Sequence, residues 1–154
     1  MPGFSIAPEP FDSDDARQLI AALDASLTEA YLPEERFGAN LKAAHLAAGR
    51  GAFLVARAGD RAIGCGALRL LDANTAEVKR MYVEPEQRGR GVGKAVLAAL
   101  EAAARQLGVK RLVLETGIYQ EAAIALYRHA GFSPIGCWGE YAFSATSLCF
   151  EKAL

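Results

Sequence analysis

Val83-Glu84-Pro85-Glu86-Gln87-Arg88-Gly89-Arg90-Gly91-Val92-Gly93-Lys94 decides how the rest of this 154-residue chain is read. An apolar run stops at Pro85, a glycine-rich turn follows, and a helical pattern begins near Val92. The first turn of a helix carries backbone N–H groups without intrahelical partners, and the helix dipole adds partial positive charge there. Gly89, Gly91 and Gly93 let a backbone approach an oxyanion without side chains in the way, and Arg88, Arg90 and Lys94 add full charges. The stretch therefore predicts an anion site at a helix N-terminus, of a size and charge suited to a diphosphate.

Two phosphate motifs fail against these letters. A P-loop needs glycine five positions before the Gly93-Lys94 pair and a hydroxyl residue after it, where this chain has Arg88 and Ala95. The dinucleotide fingerprint G-x-G-x-x-G meets Lys94 when started at Gly89 and Val96 when started at Gly91. What remains is Arg88-x-x-Gly91-x-Gly93, which resembles the acetyl-CoA signature Gln/Arg-x-x-Gly-x-Gly/Ala of the GCN5-related N-acetyltransferase (GNAT) family. The resemblance extends from Glu77 to Phe132 and coarsely over the whole chain.

Working outward, Ala76 to Val83 reads as the strand entering the loop, and Val92, Val96, Ala99, Leu100, Ala103 and Leu107 form one face of the helix leaving it. Gly108 stops that helix. Arg111 to Glu115 follows as a strand whose Leu112-Val113-Leu114 run predicts burial on both faces, and Glu121 to Ala130 as a helix closed by Gly131. Ser133–Cys137 and Ser147–Lys152 read as two last strands around a loop holding Trp138, Glu140 and Tyr141. Upstream, Phe53–Arg57 and Ala62–Leu71 flank the Gly59-Asp60 turn as a hairpin. A short strand over Phe4–Ala7 precedes a helix opened by the Asp12-Ser13-Asp14-Asp15 cap, with Leu19, Ile20, Leu23, Leu27 and Tyr31 on one face. A second helix is expected from about Glu34 to Ala48. An antiparallel meander followed by strand–helix–strand alternation predicts a single α/β (α+β) domain over residues 1–154 with a mixed sheet. The family resemblance implies a central sheet whose parallel strands splay apart, flanked by helices.

Composition narrows the partners. An apolar fraction of 52%, a charged fraction of 23% and a net charge of −1 fit a soluble globular domain and argue against general nucleic-acid binding. No apolar run approaches the roughly 18 residues needed to span a bilayer, and Met1-Pro2-Gly3 lacks a signal-peptide pattern. Cys65, Cys137 and Cys149 are odd in number and widely spaced, so neither a disulfide framework nor a zinc site is expected, and the cytoplasm is the expected location. His45 reads as a half-buried helix residue and His129 as a surface residue near a helix C-terminus, so no metal is expected.

Acetyl transfer to an amine needs a deprotonated amine, a polarised thioester carbonyl, a proton for the departing thiolate and alignment of the reactants. No Ser-His-Asp set has recognisable spacing, so direct attack in a ternary complex is the economical route. Tyr127, in Ala125-Leu126-Tyr127-Arg128-His129-Ala130-Gly131-Phe132, resembles the family's LY…GF segment, which implies a proton donor beside the CoA sulfur; as a plain helix residue it would pack with Leu126 and Phe132. Glu115, at a strand end twelve positions earlier, resembles the basic glutamate of the family's ribosomal-protein N-terminal acetyltransferases; otherwise it would pair with Arg111 or Lys79. Glu77 is the rival base, and Glu140 and Tyr141 are expected to shape the acceptor pocket. The family's asparagine seven residues before the tyrosine is replaced here by Gln120.

The resulting expectation is an acetyl-CoA-dependent N-acetyltransferase acting on a small-molecule or peptide amine, without a metal, with a homodimer as one expected assembly. The diphosphate should lie on the N–H groups of residues 89 to 94, that is Gly89, Arg90, Gly91, Val92, Gly93 and Lys94, beside Arg88. Met81, Tyr82 and Val83 should offer backbone groups to pantetheine in the manner of an added strand. A non-catalytic acyl-CoA sensor and, behind it, a nucleotide-binding oxidoreductase are the alternatives.

Overall fold

The protein is described here by a computed structural model covering residues 3–36 and 41–154. Among the described residues seven strands form one sheet: β1 (Ser5–Pro8), β2 (Gly51–Ala58), β3 (Arg61–Leu70), β4 (Thr75–Val83), β5 (Arg111–Gly117), β6 (Ser133–Ile135) and β7 (Ser147–Ala153). Their order across the sheet is β1-β2-β3-β4-β5-β7-β6. Every neighbouring pair is antiparallel except β4 and β5, which run parallel. Helices α1 (Asp14–Ala30), α2 (Val92–Gln106) and α3 (Glu121–His129) pack on it. No helix among the described residues is long and apolar enough to cross a membrane.

The two faces follow from strand alternation and helix periodicity. On one face α2 buries Val92, Val96, Leu97, Leu100 and Ala104 against Leu54, Ile63, Leu68, Val78, Leu112 and Leu114. The buried stripe is turned slightly from the expected one: Ala99, Ala103 and Leu107 lie at its margin, while Leu97 and Ala104 are central. Glu101 also falls in this stripe, where Lys152 Nζ meets its Oε1 at 2.6 Å. Leu112, Val113 and Leu114 are all buried, as a strand covered on both faces requires.

On the other face α1 packs Ala16 and Leu19 against Phe53, Val55, Cys65 and Ala67. Its start is capped by Ser13, whose Oγ accepts from the Ala16 N–H at 3.1 Å. Its far end is fixed by Tyr31, whose hydroxyl accepts from the Tyr119 N–H at 3.0 Å. That contact demands a glycine on β5, because a Cβ at Gly117 would stand 1.9 Å from the Tyr31 hydroxyl.

Two expectations are corrected. The helix expected over 34–48 is not formed by the described residues there, which make single 3₁₀ turns at Pro33–Glu35 and Ala43–Leu46; residues 37–40 lie outside the described residues. Local side chains hold those turns: Glu35 Oε1 accepts from the Leu32 N–H at 2.8 Å, and His45 Nδ1 from the Lys42 N–H at 3.0 Å. Half-buried His45 therefore sits in a turn rather than a helix. The second correction is a disulfide between Cys137 and Cys149, with Cα atoms 5.2 Å apart. The β6–β7 register sets Ile135 opposite Cys149, which brings Cys137 within reach from just beyond the strand end. The pairing removes the cysteine-based ground for a reducing compartment. Cys65 is free and buried.

Candidate active site

Pairing between β4 and β5 lasts four residues on each strand, Thr75–Val78 against Arg111–Leu114. Beyond Leu114 and Val78 the strands part, and the opening is a cavity of about 490 Å³. A bulge in β4 lies at the parting: Cys65 pairs with Tyr82 and Ala67 with Lys79, so Gly66 faces both Arg80 and Met81. Arg80 takes the extra position at φ 56°. Bulges bend a strand and re-aim its side chains, which accounts for β4 leaving its parallel neighbour at this point.

The outer end of the cavity is the glycine loop. Gly91 caps α2 at φ 84°, and a Cβ there or at Gly89 would meet nothing within 4 Å. The approach to the first turn of α2 is thus clear of protein, and the Ala95 N–H donates to the Gly91 carbonyl at 3.0 Å. Arg88, Gly89, Gly91, Val92, Gly93 and Lys94 line the cavity, while Arg90 does not and instead bonds Gln87 Oε1. Met81, Tyr82 and Val83 line it from β4. The Val83 carbonyl, expected to be open, accepts from Arg88 Nε at 2.9 Å, and that guanidinium lies 5.9 Å from the centre of the Tyr82 ring.

Deeper in, Tyr127 and Glu115 line the same cavity. Tyr127 projects from α3, its ring edge-on to Phe132 at 5.9 Å, so the packing contact expected of a plain helix residue is present too. The residue is 5% exposed, yet its hydroxyl has no hydrogen-bond partner among the described residues and is left to the cavity. Burial, and secondarily the charge of Glu115, push its phenol well above the ordinary range. Glu115 Oε2 accepts from Ser147 Oγ at 2.7 Å. Burial raises the Glu115 carboxyl, opposed by the Ser147 bond and by Lys79. Arg111, a partner offered by the sequence, bonds Glu151 instead.

Glu77 belongs to a cluster that the sequence did not reveal. Tyr141 donates its hydroxyl to Glu77 Oε2 at 2.9 Å, Lys79 Nζ donates to the Tyr141 oxygen at 3.1 Å, and Lys79 stands 3.7 Å from Glu77. All three side chains are buried. Burial and the charge of Glu77 raise the Tyr141 phenol, so its proton stays in place to bond the carboxylate. The spacing Glu77-x-Lys79 carried the signal, since alternate strand residues share a face; Tyr141 arrives from a distant loop and left none. That loop, closed by Cys137–Cys149, supplies hydroxyls to both carboxylates, Tyr141 to Glu77 and Ser147 to Glu115. Tyr141 lines the cavity as expected, whereas Glu140 is exposed and does not. Gln120 lines it from the start of α3. His129 is exposed at the end of that helix, its Nδ1 2.8 Å from the Ala125 carbonyl.

Comparison with known proteins places this architecture among the acetyltransferases. The chain belongs to the GNAT family, whose model matches residues 17–132. An IAA acetyltransferase of Azospirillum brasilense is 41% identical over the full length of both chains. A solved structure from Klebsiella pneumoniae, assigned to the acyl-CoA N-acyltransferases, is 36% identical and superposes with a TM-score of 0.83 over 98% of this chain and 97% of its own. The PaiA N-acetyltransferase of Thermoplasma acidophilum, solved with coenzyme A, shares the fold at 20% identity, with a TM-score of 0.75 over 98% and 99% of the two chains.

Proposed function

We propose that the protein transfers the acetyl group of acetyl-CoA to a primary amine by direct attack in a ternary complex. The observation that carries this reading is the cavity between the parted strands, which joins an open, glycine-capped helix N-terminus to the half-buried carboxylate of Glu115 and the phenol of Tyr127. The coenzyme A complex of the T. acidophilum relative supports assigning the ligand to this fold. The N–H groups of the α2 first turn, with Arg88 and Lys94, would hold the diphosphate. For pantetheine to pair with β4, Arg88 would release the Val83 carbonyl or share it.

Glu115 is the assigned base. A carboxyl raised by burial is better matched to an ammonium proton than one in water. Of the three protons of the substrate ammonium, one leaves through Glu115 to solvent, one ends on sulfur as the amine nitrogen bonds the acetyl carbon and the C–S bond breaks, and one stays on the amide nitrogen. Tyr127, which lines the cavity, would donate a hydrogen bond to that sulfur. Its raised phenol disfavours a free phenolate, so it hands over its proton only as it takes another. The acceptor would lie between α1, where Leu23 and Leu27 line the cavity, and Tyr141. The proposal assigns no role to a metal ion, nucleic acid or membrane, and places the enzyme in the cytoplasm, where acetyl-CoA is held. Thiol release from acetyl-CoA, measured across a panel of amines with the N-acetyl product identified by mass, is the test. Binding of acetyl-CoA without release for any amine would leave a sensor and refute the enzyme.

A further inference from the structure

Arg80 combines three properties that packing does not explain. It is the one non-glycine residue at positive φ among the described residues, set there by the β4 bulge. A residue held in that region points to function when the surrounding structure imposes it. Its side chain is 8% exposed, although its partner Asp24 on α1 is 53% exposed. The pair, Nη2 to Oδ1 at 2.6 Å, uses a fraction of what a guanidinium offers: five N–H donors in a planar fork. No other side-chain partner of Arg80 occurs among the described residues.

Arg80 also lines the cavity that holds Glu115 and Tyr127. The charges around it are unequal in how far they are matched. Glu77 and Lys79 neutralise one another through Tyr141. Among the described residues Glu115 has a hydroxyl partner, Ser147, and no ion pair. The parted strands therefore present a carboxylate from β5 and a guanidinium with spare donors from β4. A ligand with an ammonium at one end and a carboxylate at the other complements both.

Resting on the acetyltransferase reading, we propose that the acceptor is a free amino acid and that Arg80 binds its carboxylate while its amine is directed to Glu115. Arginine suits this role because its fork can engage both carboxylate oxygens, and because near-complete burial strengthens charge-assisted hydrogen bonds.

The test compares amino acids with their carboxamides, leucine against leucinamide and phenylalanine against phenylalaninamide, by thiol release from acetyl-CoA. The carboxamide keeps the amine and side chain and removes the negative charge. The wild type should prefer the acids. Arg80→Gln should lower kcat/KM for the acids roughly 10- to 100-fold, mainly through KM, and leave the carboxamides unchanged. Asp24→Asn breaks the same ion pair while keeping the guanidinium, so it should preserve the preference for acids. Equal losses on acids and carboxamides in Arg80→Gln, or loss of the preference in Asp24→Asn, would make Arg80 a strut between β4 and α1 and overturn the proposal. Should Arg80→Gln fail to fold, the wild type and Asp24→Asn still decide, since a wild type that favours carboxamides overturns it outright. Acetylation of amines with no preference for a carboxylate sinks this inference alone; no acetylation of any amine sinks the acetyltransferase reading as well.

Discussion

Replacing Tyr127 by phenylalanine removes one oxygen atom from the cavity wall and leaves the ring where it is. The ring is almost wholly buried against Phe132, and the hydroxyl has no protein partner among the described residues. No protein hydrogen bond is broken, so the melting temperature should hold or rise slightly. The loss appears when charge develops on sulfur. A hydrogen bond to a charged group is worth about 1.5–3 kcal/mol. At 1.36 kcal/mol per decade that is a fall in kcat of roughly 10- to 150-fold. Because the hydroxyl meets full charge only as the C–S bond breaks, acetyl-CoA affinity should barely change. Stopped-flow thiol release at saturating acetyl-CoA and amine measures kcat, and calorimetric titration measures affinity. A Tyr127→Phe enzyme with unchanged kcat and weakened acetyl-CoA binding would show that the phenol binds substrate and does not assist the leaving group.

Glu115→Gln should lose activity most at pH values below the amine's pKa, where a base is needed, and partly recover at high pH; a pH-independent loss would make the carboxylate structural. The same variant carries a stability signature. Burial raises the folded-state pKa, so the wild type is most favoured below the ordinary carboxylate range and loses that advantage as pH rises through the folded value. Glu115→Gln should therefore gain in melting temperature relative to wild type from acid to neutral pH, and a constant difference would contradict the burial argument. Gly91→Ala and Gly91→Glu both place a side chain at φ 84°, in open space, and so share the left-handed backbone penalty of about 1–2 kcal/mol. Gly91→Glu alone should abolish the thermal shift produced by acetyl-CoA, and an equal shift in the two variants would move the diphosphate elsewhere. Reducing Cys137–Cys149, which spans 12 residues, should cost about 3 kcal/mol by loop entropy and loosen the loop bearing Tyr141 and Ser147. The amine KM should rise while acetyl-CoA affinity holds; unchanged amine kinetics would separate the loop from the acceptor site.

Much of this fold is legible because its strongest signals are local. The glycine turn after β4 and the apolar stripe of α2 need only short windows, and both strands entering and leaving them follow from period and breakers. The 34–48 segment misleads because its residues have helical propensity, whereas Pro33 and the side-chain bonds of Glu35 and His45 favour turns. The site divides in the same way. Glu115 and Tyr127 each lie two residues inside the end of an element with clear periodicity, β5 running on to Gly117 rather than stopping at Glu115, and the resemblance names them. Tyr141, Ser147 and the Cys137–Cys149 pair depend on the register of β6 and β7 and on a long loop, so no spacing announces them. Arg80 is hidden for another reason: a bulge shifts the strand's alternation by one, and alternation is what a strand reading assumes.

Mass analysis after mixing the enzyme with acetyl-CoA tests the central claim most directly. Without amine, the protein should keep its mass and the thioester should persist. On addition of an acceptor amine, one molecule of CoA thiol and one of N-acetylated amine should appear together, with the protein still unmodified. A protein heavier by one acetyl group in the absence of amine, and cleared when amine is added, would contradict direct transfer between the parted strands.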